Sequence, residues 1–257
     1  MAQVFRFIAI AVLIVGIVRC LKRHRRGSVA ISAAAIILLI AVLACRAATT
    51  GFFPLAGLQD VLVFLGVVLL TVHWVLSGNE GLSRTAPGVY AAVGVMLAIS
   101  ASLPTQTAVP EDLRSYMLPI HVGGAILAYG CMTLHMVWML QWGLRKRRTG
   151  ADTSPELETL SRRAIRLALA GEIVYAIFIL GMGMLWAKSA WGRYWGWDFK
   201  ETMSLITFGA YALYLYFELV IRPRSRLLRI AMAAIAYACL LITFFLGARF
   251  SALHGYA

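Results

Sequence analysis

Long apolar runs are the feature that most constrains this chain. Eight stretches are nearly free of charged side chains, and each has about the 17–25 residues that an α-helix needs to cross the hydrocarbon core of a bilayer. Inside a bilayer every backbone N–H and C=O group must be paired, so only helices and closed barrels can span it. The in-and-out alternation of barrel strands is absent. The sequence therefore predicts an all-α, polytopic membrane protein. Its eight transmembrane spans are expected near residues 4–20, 28–45, 58–77, 87–103, 117–142, 163–187, 201–221 and 227–248.

Composition agrees with a chain embedded in a membrane. Hydrophobic residues make up 61% of it, against roughly 45–50% in ordinary soluble domains. The longest polar stretch, residues 143–162, reads as a loop, and no internal repeat is evident. We therefore expect a single membrane domain over residues 1–257.

The chain has a large excess of basic over acidic residues. Lys and Arg number 24 against 11 Asp and Glu, a net charge of +13. Such an excess can indicate nucleic-acid binding, anionic lipids or orientation in a membrane. Seventeen of the 24 fall in alternate connections between the predicted spans, as expected when cytoplasmic loops are rich in Lys and Arg. We therefore predict that both termini lie on the outer, periplasmic side of a bacterial inner membrane, and that the chain binds no nucleic acid.

One outer connection, between the sixth and seventh spans, is unusually aromatic. It reads AKSAWGRYWGWDFKET and places four large rings within seven residues: Trp191, Tyr194, Trp195 and Trp197. One interpretation is an interfacial belt, because Trp and Tyr often anchor helix ends at the lipid headgroups. The density of rings favours another interpretation, in which flat faces stack on a planar ligand and nearby cations pair with its carboxylates.

The segment WA-x-x-AWG-x-YW-x-WD-x-KET, at residues 186–202, resembles the WWD signature of haem-handling membrane proteins. The KET after the Asp is similar to the form found in the CcsA family of system II cytochrome c biogenesis. Four other stretches are also similar to that family: GFFPLAGLQDVLVFL (51–65), LETLSRR (157–163), LGMGMLWA (180–187) and LITF (205–208). The resemblance covers residues 50–257, and it identifies residues 187–202 as an external WWD segment.

This resemblance implies a function in cytochrome c maturation. Proteins of the family handle haem at the outer face of the membrane. With a CcsB-like partner subunit they present it to exported apocytochromes, whose CxxCH segments form thioether bonds with it. The chain would then be a subunit of a holocytochrome c synthase that binds haem b.

The family's iron ligands are two outward-facing histidines on either side of the WWD segment. His121 matches the first, in YMLPIHVGGAILAYG, and His254 matches the second, in ALHGYA. The charge-based topology independently places both at the same outer surface as the WWD segment. The resemblance therefore implies that His121 and His254 are axial ligands of the iron.

The remaining site residues come from the WWD segment itself. The expected haem platform consists of Trp191, Tyr194, Trp195, Trp197 and Asp198. Arg193 and Lys200 are the expected partners of the haem propionates. Asp198 is also expected to fix the loop, either by capping the helix that starts near Lys200 or by pairing with a nearby cation. No catalytic base is assigned.

Two positions depart from the family pattern. Tyr216 stands where most members have a further histidine, which pairs with a partner-subunit histidine around a haem inside the membrane, and Phe199 stands where the family usually has proline. His73, His135 and Glu172 are ionisable groups at membrane depth, which are costly there and therefore candidates for a role. One hypothesis is a relocated intramembrane haem site formed by these residues. The alternative is that they make polar contacts between helices.

Two other functions stay open. One is a haem-binding or haem-transporting membrane subunit of the same superfamily that forms no thioether bonds, which Tyr216 favours. The other is a haem-containing membrane anchor that transfers electrons, for which His121 with His254 and His73 with His135 would supply two ligand pairs. Covalent haem on an exported CxxCH reporter would distinguish the synthase from both.

Overall fold

The computed structural model of the chain describes residues 1–21, 27–55, 57–104, 117–149 and 154–250. Every regular element in these ranges is helical, which confirms the predicted all-α class. The helices are α1 (Ala2–Leu21), α2 (Ser28–Thr50), α3 (Leu58–Ser102), α4 (Met117–Thr149), α5 (Pro155–Tyr175), α6 (Met182–Trp191), α7 (Phe199–Tyr216) and α8 (Arg226–Phe250). Two π-helical segments continue α5 and α7, namely Ala176–Gly181 and Phe217–Ile221.

Eight helical stretches in the described ranges are long and apolar enough to cross a membrane, which confirms the predicted number of spans. The chain is therefore an integral membrane protein. The sixth stretch begins at Pro155 rather than near residue 163, because the helix includes the polar residues that precede its apolar part. Pro155 stands at the first helical position, where its missing N–H leaves no backbone bond unmade. The side of the membrane on which the termini lie stays a prediction, as does the single domain over residues 1–257.

Helix α3 carries two of the spans and folds back on itself. The Ser100 hydroxyl donates to the Gln59 carbonyl at 2.8 Å, although the two residues are 41 apart in sequence. A straight helix would separate them by roughly 60 Å, at about 1.5 Å per residue. At the other end, His73 Nε2 and Thr85 Oγ1 share a hydrogen bond of 2.7 Å. The arms Leu58–Ser77 and Arg84–Ser102 are therefore antiparallel, as two separate spans require.

The chain forms two compact units, residues 1–119 and 120–257. In the first unit, buried charges join the ends of three helices. The Arg46 guanidinium, in the last turns of α2, donates to both oxygens of Asp60 at the start of α3, at 3.0 and 3.1 Å. Arg6 of α1 lies 3.8 Å from the same carboxylate, and none of the three side chains is more than 9% exposed. These charges fix the relative positions of α1, α2 and α3 because each would be costly without its partners.

In the second unit, buried hydroxyl groups link α5, α7 and α8. The Tyr175 hydroxyl donates to the Ser204 carbonyl at 3.1 Å. Thr207 and Thr243 share a hydrogen bond of 2.8 Å. Because α5 continues through the first π-segment into α6, these contacts hold in place the two helical arms on either side of the WWD segment.

Asp60→Asn is expected to destabilise the protein strongly, because it leaves Arg46 and Arg6 buried without their shared carboxylate. Breaking a buried ion pair in this way typically costs about 3–5 kcal/mol. The measurement is the thermal unfolding midpoint of the detergent-solubilised protein. Glu158→Gln is the control, since Glu158 pairs with Arg162 at 3.2 Å but both side chains are more than half exposed, and such pairs contribute about 0–1 kcal/mol. Equal midpoints for the two variants would contradict a stabilising role of the buried charges.

Candidate functional site

The centre of the WWD segment is a loop, residues 192–198, that we call the Trp-rich loop. Gly192 follows α6 in the left-handed region, at φ 74°, and its N–H donates to the Lys188 carbonyl at 3.1 Å. Trp197 also has a positive φ, of 57°, which is unusual for a bulky side chain and costs on the order of 1–3 kcal/mol. Such strain persists only where the surrounding structure imposes it, and it concentrates at functional sites.

A capping box ends the Trp-rich loop. The Asp198 carboxylate accepts from the Glu201 N–H at 2.8 Å. The Glu201 carboxylate accepts in return from the N–H groups of Asp198 at 3.3 Å and Gly196 at 2.6 Å. The prediction that Asp198 caps this helix is confirmed, and α7 begins directly after it at Phe199. Sequence reasoning missed Glu201, which is buried; its place three residues after an acidic cap is the signal that could have found it.

An open cleft of about 410 Å³ lies beside the Trp-rich loop. This volume includes space that is open to the surroundings, so the cleft is a concave surface rather than a closed cavity. The cleft is walled by α4, the first π-segment, α6, the loop and the start of α7. Its aromatic and polar lining consists of His121, Trp186, Trp191, Tyr194, Trp195, Lys200, Glu201 and Ser204. The structure thus brings His121 together with four of the predicted residues of the WWD segment.

His121 is held in a defined orientation at the wall of the cleft. Its Nδ1 lies 2.7 Å from the Phe178 carbonyl oxygen, and because a carbonyl can only accept, Nδ1 carries the hydrogen. A neutral ring in this tautomer has its lone pair on Nε2, the nitrogen that a metal would bind. The Trp186 ring stacks on the imidazole at 6.2 Å, with 14° between the planes. Trp186 in turn meets Trp191 edge-on at 4.9 Å, so the aromatic wall is continuous around the histidine.

Two polar groups complete the cleft. The buried Trp195 Nε1–H has no hydrogen-bond partner among the described residues. Lys200 lines the cleft, and its aliphatic chain packs closely on Gly247 of α8, where an added Cβ would lie 3.0 Å from the lysine Cγ. An aromatic wall with one unpaired N–H donor and one cation suits a flat ligand that carries carboxylates.

Three predicted residues of the WWD segment are not among those that line the cleft. Trp197 is 70% exposed, although its ring meets the Trp195 ring edge-on at 5.8 Å. Arg193 is also exposed, and its guanidinium lies over Gly196. Asp198 acts on the loop backbone through the capping box. Contacts of these three residues with a ligand stay predictions.

The second predicted iron ligand, His254, lies outside the described residues. Helix α8 is described as far as Phe250, whose ring packs against that of Phe199 at 5.6 Å. Phe199 is the first residue after the capping residue of the Trp-rich loop. The end of α8, four residues before His254 in sequence, therefore lies beside this loop.

The residues suggested for an intramembrane site are divided between the two units. His73 is buried in the first unit, bonded to Thr85. His135 and Glu172 are buried in the second unit, and neither oxygen of the Glu172 carboxylate has a hydrogen-bond partner among the described residues. Tyr216, at the position of the family's further histidine, is 51% exposed. A site shared by His73 and His135 stays a prediction.

Sequence reasoning missed the two tyrosines that surround His135. The rings of Tyr214 and Tyr211 lie 4.9 and 6.1 Å from the imidazole, and both are buried. His135 Nδ1 donates to the Ala164 carbonyl at 3.1 Å, while its Nε2 and both phenol hydroxyls have no hydrogen-bond partner among the described residues. The spacing of three residues between the tyrosines, which puts them on one face of α7, is the signal that could have found them.

Comparison with known proteins assigns the chain to a family. The sequence model of the family described as Cytochrome C assembly protein matches residues 55–254. The cytochrome c biogenesis protein CcsA of Synechococcus sp. (strain JA-2-3B'a(2-13)) is 28% identical, over 85% of this chain and 81% of that protein. The CcsA protein of Trieres chinensis is 26% identical over 70% of each chain. That of Chlamydomonas reinhardtii is 32% identical over 71% of this chain and 55% of its own length. With a family match that runs from the start of α3 through the cleft to His254, the chain belongs to the cytochrome c assembly proteins of the CcsA family.

Proposed function

We propose that this protein takes part in haem attachment, by binding haem in the cleft beside the Trp-rich loop and presenting it to exported apocytochromes. Membership of the CcsA family gives the coarser role, which is cytochrome c maturation, a process that involves haem. The observation that carries the finer proposal is the hydrogen bond from His121 Nδ1 to the Phe178 carbonyl. It leaves Nε2 as the basic nitrogen of a histidine in the wall of an aromatic cleft, which is what an axial ligand requires.

The lining of the cleft fits haem b. Its rings provide flat faces for the macrocycle, and the Lys200 ammonium offers a charge partner for a propionate. The Trp195 Nε1–H, which has no partner among the described residues, can donate to the other propionate. Tyr194 also lines the cleft, and Arg193 and Trp197 are exposed residues of the same loop.

The protein acts mainly by holding the reacting groups in position. His121 would hold the iron, and His254 is proposed as a second iron ligand. Haem supplies the iron and the two vinyl groups. Each cysteine thiol of a CxxCH segment adds across one vinyl group, so that its sulfur bonds to carbon, its hydrogen ends on the neighbouring carbon, and no electron is gained or lost. Holding the thiol and vinyl groups in register accelerates such an addition by proximity.

A CcsB-like membrane subunit is proposed as the second component of the synthase, and the bacterial inner membrane as its site. The cleft would then open to the periplasm, where apocytochromes are exported. The distribution of Lys and Arg supports this orientation, because the connections on the opposite side carry most of the basic residues.

A haem carrier without synthase activity is the alternative that one observation favours, since Tyr216 replaces the family's intramembrane histidine and is half exposed. An exported CxxCH reporter distinguishes the two functions. When this chain and a CcsB-like partner are expressed with the reporter, in a strain that lacks its own maturation system, the synthase yields covalent haem on the reporter. A haem-loaded protein that leaves the reporter unmodified would support the carrier.

His121→Ala is expected to remove the low-spin, six-coordinate spectrum of the haem-loaded protein, because one axial ligand is lost. The same change should lower covalent haem on the reporter by at least about 10-fold, the loss typical of a disturbed metal site. Added imidazole should restore the spectrum by entering the space left by the ring. Leu144→Ala is the control, since Leu144 lies on the same helix, is 58% exposed and is not among the residues that line the cleft. An unchanged spectrum in His121→Ala would exclude the proposed site.

We also propose a second ligand position at membrane depth, around His135. Its arrangement repeats that of His121: Nδ1 donates to a carbonyl of the neighbouring helix, and aromatic rings lie beside the imidazole. Its Nε2 has no hydrogen-bond partner among the described residues. His121 and His135 are 14 residues apart on α4, or about 21 Å along the helix axis, so the two positions would hold separate haems.

Two haems per protein chain are therefore expected in preparations loaded with excess haem. His135→Ala should reduce the haem-to-protein ratio from two to one, measured by the pyridine haemochrome assay, and leave the features that depend on His121 in place. A ratio that His135→Ala does not change would rule out this ligand position.

A further inference from the structure

The acceptor of the His121 hydrogen bond lies in an irregular part of the helix. Residues Ala176–Gly181 form a π-segment between α5 and α6, in which the Met182 N–H donates to the Ile177 carbonyl, five residues back. A π-turn shifts carbonyl groups out of register with the α-helical ladder, and such turns often occur at functional sites. The Phe178 carbonyl, in the middle of this segment, accepts from His121 Nδ1 at 2.7 Å.

A close approach of α4 to the π-segment makes this bond possible. Gly124 lies one turn after His121 and faces Phe178. A Cβ on Gly124 would lie 2.5 Å from the Phe178 Cβ and would overlap its ring. Gly123, the adjacent residue, has open space at the corresponding position, with nothing within 4 Å. Only Gly124 therefore has to be glycine for α4 and the π-segment to come this close.

We propose that the π-segment, packed on Gly124, is a positioning device for the haem ligand, with the Phe178 main-chain carbonyl as the group that orients His121. The inference rests on the proposed function and extends it from the ligand to the backbone group behind the ligand. The carbonyl fixes the tautomer of His121 and the rotation of its ring. It also makes the imidazole a stronger base and therefore a stronger iron ligand. Loss of such an orienting partner typically weakens metal binding about 10–100-fold.

The neighbouring glycines Gly123 and Gly124 allow a matched test. Haem affinity is measured by titrating the full-length, detergent-purified protein with ferric haem. Gly124→Ala should weaken haem binding at least about 10-fold, because Phe178 must move and its carbonyl leaves Nδ1. Gly123→Ala, the same change one residue away, should bind as the unaltered protein does. Phe178→Gly keeps the carbonyl and should retain binding, and the double variant Gly124→Ala with Phe178→Gly should regain most of the lost affinity because the overlap is removed.

A second experiment removes the hydrogen bond at His121 itself. His121 is replaced by Nδ1-methylhistidine through an expanded genetic code, so that Nε2 can still bind iron but Nδ1 can no longer donate. Haem affinity should fall about 10-fold, and the midpoint potential should move to a more positive value, because a less basic ligand stabilises ferric iron less. A purely structural role of the π-segment would leave the potential unchanged.

The outcomes separate this inference from the proposed function. If His121→Ala leaves the haem spectrum unchanged, the proposed function fails and the inference fails with it. If His121→Ala abolishes the spectrum but the methylhistidine protein keeps the affinity and the potential of the unaltered protein, the inference alone is overturned. This second experiment decides the question even if Gly124→Ala does not fold.

Discussion

Hydrogen bonding without water is the constraint on which the rest of this structure depends. In a bilayer the backbone of each span is satisfied within its own helix, so contacts between helices rely on side chains and on carbonyl oxygens that can accept a second hydrogen bond. Several carbonyl groups of this chain accept such a second hydrogen bond. Ser100 bonds to the Gln59 carbonyl, Tyr175 to that of Ser204, and His121 to that of Phe178. The same type of bond that joins helices thus also orients the candidate iron ligand.

The Trp-rich loop contains a strained residue and is anchored by hydrogen bonds. The capping box ties the loop to the first turn of α7 through Glu201, which stabilises a loop that contains Trp197 with a positive φ. As a result the aromatic residues divide into two groups. Trp191 and Trp195 line the cleft beside His121, whereas Trp197 is mostly exposed.

The sequence predicts those features that depend on local pattern, and it predicts contacts between helices poorly. Hydropathy locates eight spans because each run is itself long enough to cross a bilayer. Asp198 is recognisable as a cap from its position before a helix. The Phe178 carbonyl could not be predicted, because a π-segment has no signature in residue type and any residue supplies a carbonyl. Tyr211 and Tyr214 were missed for a related reason, since their place around His135 depends on how α4 and α7 pack.

The charges shared by Arg6, Arg46 and Asp60 also bear on how the protein is made. An arginine or an aspartate that enters a bilayer alone is costly, yet α2 ends and α3 begins only a few residues apart. Arg46 and Asp60, 14 residues apart, can therefore meet as soon as these two helices leave the translocation machinery as a pair. Their mutual neutralisation lowers the cost of insertion for both, so the second and third spans are suited to enter the membrane together, as a preformed hairpin.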